Sequence, residues 1–332
     1  MLPVASVTIH CSQFPEAVRN DLVASLRSRC VNHKFHYDSV KQTQKWLSLH
    51  QAFSPWLTDP TCRTIYEESY LAAAQRVGAG PVQVIGLGCG GGQKDAALLK
   101  VLGENASIYI PCDVSTAMVL VARQAALSLI REDQCFPVVC DLATADNPGS
   151  FLSTPVGDSE RGHAARILTF FGMMPNFEPS VILPKLSQLT SAGDVLLVSA
   201  NLAPGADYSA GVARILPLYD NEMTRDWLMS FLLDLGVERA DGVLRFRIEE
   251  VTESCRLKRI IAEFHFTEDC LVQLDAERFD FRSGESIRLF FSYRHTPNLI
   301  QTLLEGYGLE VVDQWITASG EEGVFLVEKT AA

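Results

Sequence analysis

The chain has no C-x-x-C pair among its nine cysteines (11, 30, 62, 89, 112, 135, 140, 255 and 270). It has no run rich in lysine or arginine, and no internal repeat or low-complexity tract. Each absence removes a class. Scattered cysteines give neither a zinc site nor a disulfide frame, and with no signal peptide they read as reduced thiols of a cytoplasmic protein. No cluster of metal ligands stands out, so no metal is expected. A net charge of −12 without a basic patch argues against nucleic acid and against an anionic membrane surface as partner. No apolar run approaches the ~18–20 residues that span a bilayer. What is present is 332 residues, 47% hydrophobic, enough to bury one large core or two modest ones.

Periodicity organises the chain. Residues 14–30 repeat apolar positions at helical spacing, with Phe14, Val18, Leu22 and Leu26 on one face. A second amphipathic helix, 63–77, runs into the break at Gly78-Ala79-Gly80. Strands and helices then alternate: strand 82–87, helix 93–102, strand 107–112, helix 115–130, strand 136–141, strand 165–171, helix 179–190 and strand 194–200. Such alternation predicts βαβ units and a parallel, doubly wound α/β sheet. After Ala203 a helical stretch, 211–236, leads to two long strands of antiparallel character, 250–266 and 286–295. Helix 297–307 and strands 309–315 and 323–329 return to the α/β pattern.

The richest stretch is Val82 to Asp113. An apolar strand enters a turn with glycines at 86, 88, 90, 91 and 92, then a helix, then a second strand ending in Asp113. Glycine lets a backbone approach a ligand with no Cβ in the way. An acid about 20 residues on accepts hydrogen bonds from a ribose diol. A P-loop is excluded, because Lys94 is followed by Asp95 where that motif needs serine or threonine. Gly86, Gly88 and Gly91 can be placed in the G-x-G-x-x-G register, so the turn alone leaves S-adenosylmethionine and a nicotinamide cofactor both open. Cys89, inside the turn, reads as a small buried thiol rather than a nucleophile.

Further segments narrow the choice. Asp141-Leu142 closes the third strand, and Phe170-Phe171-Gly172-Met173-Met174-Pro175-Asn176-Phe177-Glu178-Pro179 follows the next. Lys34-Phe35-His36-Tyr37-Asp38 lies upstream, and Leu218-Tyr219-Asp220-Asn221 and Ile287-Arg288-Leu289-Phe290-Phe291-Ser292-Tyr293-Arg294 lie downstream. In this order, from about residue 33 onward, the chain resembles the histidine-specific S-adenosylmethionine-dependent methyltransferases, typified by the histidine Nα-methyltransferase of ergothioneine biosynthesis. It is similar also to the fungal indole-alkaloid N-methyltransferases.

The resemblance implies a class I methyltransferase fold, a Rossmann-like seven-stranded sheet with an inserted α+β substrate-binding lobe. On that reading residues 63–202 plus 296–332 form the cofactor domain, and 1–62 plus 203–295 the lobe. It implies that Tyr37, Gly88, Gly90, Lys94, Asp113, Asp141 and Leu142 hold S-adenosylmethionine. Gly172, Asn176 and Tyr219 would hold an amino-acid head group, with Asn176 and Tyr219 orienting it for catalysis, and Ser292 would lie near the substrate side chain. Each residue also has a plainer reading: Lys94 as a solvated charge, Asn176 as a helix cap, Tyr37 and Tyr219 as half-buried rings.

Departures from the family pattern bear on the substrate. Phe290 stands where the family has an imidazole-binding glutamate, and Phe53 where it has a tyrosine on the substrate carboxylate. Arg259 falls where an apolar pocket residue is usual, and the Gly172–Asn176 interval is one residue short. An apolar ring cannot accept from an imidazole N–H, and leaving that group unpaired costs about 1–3 kcal/mol. The expectation is therefore N-methylation of an amino acid or amino-acid-derived amine other than histidine, by a monomer acting on a small molecule. Two alternatives stay open: a non-catalytic ligand-binding relative, and a nicotinamide-dependent oxidoreductase.

Overall fold

The computed structural model describes residues 4–152, 164–251 and 256–330. Along the chain come β1 (Thr8–Ile9), β2 (Val82–Leu87), β3 (Ala106–Asp113), β4 (Val138–Val139), β5 (Ala165–Phe170) and β6 (Val195–Asn201). Then follow β7 (Gly242–Val251), β8 (Leu257–Phe266), β9 (Cys270–Leu274), β10 (Glu277–Phe281) and β11 (Ser286–Arg294). Last are β12 (Leu309–Ile316) and β13 (Glu322–Lys329).

The large sheet has the order β1-β4-β3-β2-β5-β6-β13-β12. β13 runs antiparallel to both neighbours, and the other pairs are parallel. Parallel strands covered on both faces need apolar residues at successive positions. β2 meets this, with Val82, Val84, Ile85 and Leu87 each no more than 1% exposed. Helices Pro60–Val77 and Gln93–Leu102 pack one face through Tyr66, Tyr70, Leu98 and Leu99. Helices Pro179–Leu189 and Pro297–Glu305 pack the other through Ile182, Leu186, Ile300 and Leu304. From β2 the chain steps outward to β3 and β4, then returns to β5 on the other side. The strand order therefore reverses at β2, and a crevice opens beyond its carboxyl end, where open α/β sheets bind ligands.

The seven strands read from the sequence are all in this sheet, and an eighth joins them. β1 pairs with β4 through Thr8↔Val138 and Ile9↔Val139, so the start of the 1–62 segment lies in the large sheet. The strand expected at 136–141 keeps ladder pairing only at Val138–Val139. Its last residues leave the sheet, with the Asp141 N–H turned to Ser12 Oγ at 3.1 Å.

The helix expected over 211–236 is two helices, Tyr208–Tyr219 and Glu222–Asp234. Asn221 breaks them apart by capping the second, its side chain accepting from Thr224 N–H at 2.9 Å. A helix not read from the sequence, Val40–Phe53, starts on Ser39 and lays Trp46 beside the glycine turn. Outside the large sheet, β7, β8 and β11 form an antiparallel sheet of order β11-β8-β7, and β9 and β10 form a hairpin. A bulge between Arg288 and Phe290 shifts the β11 register against β8. Such bulges re-aim the side chains that follow. Cys255 and the adjoining part of the expected 250–266 strand lie outside the described residues. Among the described residues no helix is long and apolar enough to cross a membrane.

Candidate active site

The turn after β2 is pinned to the next strand. Gly88 N–H and Cys89 N–H both donate to Cys112 O, at 2.8 and 2.9 Å. Gly88, Gly90 and Gly92 all have positive φ, at 67°, 50° and 71°, the left-handed region that glycine enters freely. Two of these positions also lack room. A Cβ on Gly92 would stand 2.5 Å from Ala122 Cα, and one on Gly88 would stand 2.5 Å from Met173 Cγ. The Gly172–Asn176 segment thus folds back onto the turn. Burial pushes the Cys89 thiol well above its usual range, so it is no ready nucleophile.

The acid at the end of β3 is tied into the same turn. Asp113 accepts from Gly90 N–H through Oδ2 and from Ser115 N–H through Oδ1, each at 3.0 Å. Burial raises its carboxyl to about 6, and those backbone donors work against the rise. Asp95, at the start of the next helix, is likewise raised by burial to about 6. It accepts from the Tyr109 and Thr169 hydroxyls, each at 2.7 Å.

A cavity of about 500 Å³ opens beside the turn. Tyr37, Gly88, Gly90, Lys94, Asp113, Asp141, Leu142, Gly172 and Asn176 all line it. Asn176 Nδ2 lies 3.4 Å from the Tyr37 hydroxyl, so two expected residues from distant segments meet at its wall. Gly172 N–H donates to Ser199 Oγ at 2.8 Å, which fixes the loop after β5 to β6.

The remaining expected residues do not line this cavity. Tyr219 and Ser292 form a pair behind it, with their hydroxyl oxygens 2.8 Å apart. Phe290 is 6% exposed and stacks on His33, with ring centroids 5.0 Å apart. Arg259 is committed elsewhere: its guanidinium donates to Glu249 and Glu178, each at 2.7 Å, so it ties two segments together. Phe53 is a correction. It is 53% exposed at the end of its helix, and its neighbours His50 and Ser54 face the cavity instead.

Lys94 is no solvated surface charge. Its ammonium bonds the Tyr66 hydroxyl and the Glu322 carboxylate, the latter at 3.3 Å, and lies 4.2 Å from the Tyr66 ring centroid. Burial alone would raise the Glu322 carboxyl. Lys94 and the Tyr66 and Cys62 donors hold it below the usual range instead. Lys34 is almost wholly buried and pairs with Asp21 and with Asp141 Oδ2, at 3.6 Å from the latter. Asp141 Oδ1 accepts from Ala143 N–H at 2.9 Å, while Oδ2 has no hydrogen-bond partner among the described residues.

A glycine turn at the strand-order reversal, an acid bonded to it, and a second acid just past the next strand form the ligand crevice of a Rossmann-like α/β fold. The family match makes it that of a class I, S-adenosylmethionine-dependent methyltransferase. The family described as histidine-specific, S-adenosylmethionine-dependent methyltransferases matches residues 19–329, and the chain belongs to it. S-adenosylmethionine is accordingly the cofactor, and the nicotinamide reading falls. No curated protein matches the chain in sequence. Among solved structures it is similar to the magnesium protoporphyrin IX methyltransferase ChlM of Synechocystis PCC 6803 with bound SAH. That match is 13% identical over 90% of this chain and 98% of the other, with a TM-score of 0.47. It is similar also to the 1,6-didemethyltoxoflavin-N1-methyltransferase of Burkholderia thailandensis, at 11% identity over 99% and 94% of the two chains and a TM-score of 0.43.

The residues present fit that cofactor. Gly88 and Gly90 bring bare backbone to the cavity wall. Asp113 keeps lone pairs beyond its two backbone donors, Asp141 Oδ2 is an acceptor without a donor, and Lys94 brings a cation to the wall. Sequence reasoning missed Tyr66 and Glu322, which bond each other across 256 residues of chain. It also missed Trp46 and His50, on the helix it did not read. Tyr66 and Glu322 belong to no local pattern, whereas Trp46 and His50 are four residues apart on one helix and stack with ring centroids 4.9 Å apart.

Proposed function

We propose that the protein transfers a methyl group to the amine nitrogen of an amino acid or amino-acid-derived small molecule other than histidine. The surroundings of Phe290 carry this reading. Its ring lies nearly parallel to His33, 5.7 Å from Trp227 and 6.2 Å from Tyr219 by centroid distance. Phe290 backs His33, which lines the cavity, so this side offers rings where an imidazole N–H would need a carboxylate. An unpaired N–H there costs about 1–3 kcal/mol, so an aromatic or apolar portion is the better occupant.

In this reading Asp113 takes the ribose hydroxyls, Asp141 accepts from the adenine amino group, and Leu142 and Tyr37 flank the cofactor. Lys94 faces its carboxylate, and Gly88 and Gly90 allow its approach. Asn176, Gly172 and Tyr219 orient the head group of the acceptor, with Ser292 and Phe290 beyond. Bound S-adenosylmethionine supplies a methyl activated by its sulfonium. The protein's share is to exclude water and to hold the amine nitrogen in line, about 3–3.5 Å from the methyl carbon. Held by those residues, the cofactor would give up the methyl to the amine nitrogen and keep the S–C bonding pair on its sulfur. The amine loses its extra proton to water beforehand, so no strong base is assigned to Asn176 or Tyr219. The large sheet with its helices acts as the cofactor domain and 203–295 as most of the acceptor lobe, in a cytoplasmic monomer.

The test is a methyl-transfer assay of the purified protein on a panel of amino acids and amines. Aromatic amino acids or amines should be methylated and histidine should be poor. Good turnover of histidine, with none of the aromatic compounds, would sink the reading.

A further inference from the structure

None of the site residues read from the sequence lies ahead of Tyr37, yet the first elements of the chain are wired to the cofactor end of the cavity. β1 lies on β4, with Thr8 N–H donating to Pro137 O and His10 N–H to Val139 O, each at 2.9 Å. This pairing delivers Ser12, 9% exposed, to the backbone of Asp141. The His10 ring fixes Ser12 in turn. Its Nδ1 accepts from Ser12 N–H at 3.2 Å and lies 2.9 Å from Ser12 Oγ, and the ring stacks on Phe151 with centroids 4.4 Å apart.

Asp141 needs such support because its strand has already ended. The ladder of β4 stops at Val139. A buried backbone N–H beyond it must find another acceptor or cost about 1–3 kcal/mol. Ser12 Oγ is that acceptor, at 3.1 Å. The carboxylate is held by the same part of the chain. Helix Pro15–Ser28 follows directly and carries Asp21, which pairs with the buried Lys34. The Lys34 ammonium lies 3.6 Å from Asp141 Oδ2, and Ala143 N–H anchors Oδ1 at 2.9 Å. Among the described residues, the ties that Asp141 makes outside its own turn go to Ser12 and Lys34.

Position decides what such an acid can distinguish. At hydrogen-bond distance an ionised carboxylate accepts from the 6-amino group of adenine, whereas a 6-oxo purine sets two acceptors against each other. Beyond that distance the carboxylate distinguishes neither.

We propose that Ser12 and Asp21 are positioning residues for base selectivity: they hold Asp141 where it accepts a 6-amino purine and rejects a 6-oxo one. This rests on the reading of Asp141 as the adenine acceptor, and it adds an amino-terminal brace to that site. Ser12 acts through the Asp141 backbone and Asp21 through Lys34; neither touches the cofactor. Lys185 grips the loop beyond, donating to Ala143 O and Ala145 O at 2.8 and 2.7 Å, so the pocket keeps its form when the brace is cut.

The test is calorimetric binding of S-adenosylhomocysteine and of S-inosylhomocysteine, its 6-oxo counterpart, to the full-length protein. The wild-type protein should favour the 6-amino ligand by about tenfold or more. Ser12→Ala should shrink that preference to about threefold or less by weakening the 6-amino ligand alone, and Asp21→Asn should do so in part. Ser12→Thr, which keeps the hydroxyl, should retain it. Asp141→Asn, whose amide can donate to a 6-oxo group, sets the scale of a lost preference. Urea unfolding without ligand checks that each variant is folded; if Ser12→Ala fails that check, Asp21→Asn carries the comparison. Equal binding of the two ligands by the wild-type protein would overturn the reading of Asp141, and the brace with it. A wild-type preference that survives in the variants, or variants that lose both ligands equally, would overturn the brace alone.

Discussion

Gly90 N–H points at Asp113 Oδ2 over 3.0 Å, so the glycine turn and the acid of the next strand hold each other in place. The carboxylate is thereby aimed into the cavity, at the cost of burial that raises it to about 6. A ribose diol donates, so the ionised form is the one that binds. As pH falls through about 6 a proton competes for that form, and affinity for S-adenosylhomocysteine should drop by about tenfold per unit below it. Asp95 titrates in the same range, but the Tyr109 and Thr169 hydroxyls already occupy its oxygens. Asp113→Asn should bind weakly at pH 8 and lose the pH dependence. Calorimetric titration between pH 5 and 8 checks both; a variant that keeps the acid-side slope would move the effect to another group.

Lys94 and Glu322 are a pair whose value lies in being complete. Their side chains are 17% and 8% exposed, so either charge left alone has little water to turn to. Removing one partner of a buried pair typically costs about 3–5 kcal/mol, while replacing both by neutral groups costs much less. Lys94→Met should therefore lower the urea midpoint sharply, and adding Glu322→Gln should recover part of the loss. Additive losses in the double variant would show that the two charges do not support each other.

Legibility in the sequence followed distance along the chain. The cofactor half was readable because its parts sit at successive strand ends, where β2, β3, β4 and β5 each deliver a short motif to one crevice. Asp113, Asp141 and Asn176 line the cavity for that reason. The acceptor half depends on how separate segments pack, and there local pattern misleads. Phe53 and His50 belong to one helix, yet a single turn decides that His50 faces the cavity and Phe53 faces solvent. The family pattern puts Arg259 at a pocket position, and its ion-pair partner Glu178, 81 positions away, cannot be read from spacing. The break between the helices at Asn221 was there to be read, because the polar Asp220-Asn221-Glu222 interrupts the apolar spacing and Asn221 is a capping residue.

Gly92 sets a stricter requirement than its neighbours. A Cβ there would meet the backbone of Ala122 at 2.5 Å, in a conformation with φ of 71°. Gly236, the left-handed cap of the Glu222–Asp234 helix, has a φ of 86° and open space around it. Gly236→Ala should cost only the left-handed penalty of about 1–2 kcal/mol. Gly92→Ala should add an overpacking cost of about 1–3 kcal/mol, because the neighbour is backbone and cannot swing aside. Urea denaturation of the two variants makes the comparison, and equal midpoints would show that the helix at Ala122 yields freely.

Asn176 gives the sharpest separation of the two halves of the site. It ends a short helical turn, Met174–Asn176, and its Nδ2 reaches the Tyr37 hydroxyl at 3.4 Å. The Tyr37 hydroxyl is pushed above its usual range by burial first and by the nearby Asp113 charge second, so it stays protonated and can still donate. An amide in this place can orient an incoming amine without taking its proton. It contributes alignment, which acts in the transition state more than in cofactor binding. Asn176→Ala should then lower kcat/KM for the acceptor by about a hundredfold, while affinity for S-adenosylhomocysteine falls by less than about threefold. Asn176→Asp would place a carboxylate beside the amine and favour its charged form, so its turnover should recover as pH rises. Equal losses of turnover and of cofactor affinity in Asn176→Ala would return this residue to the cofactor site and leave the acceptor amine to Tyr219 alone.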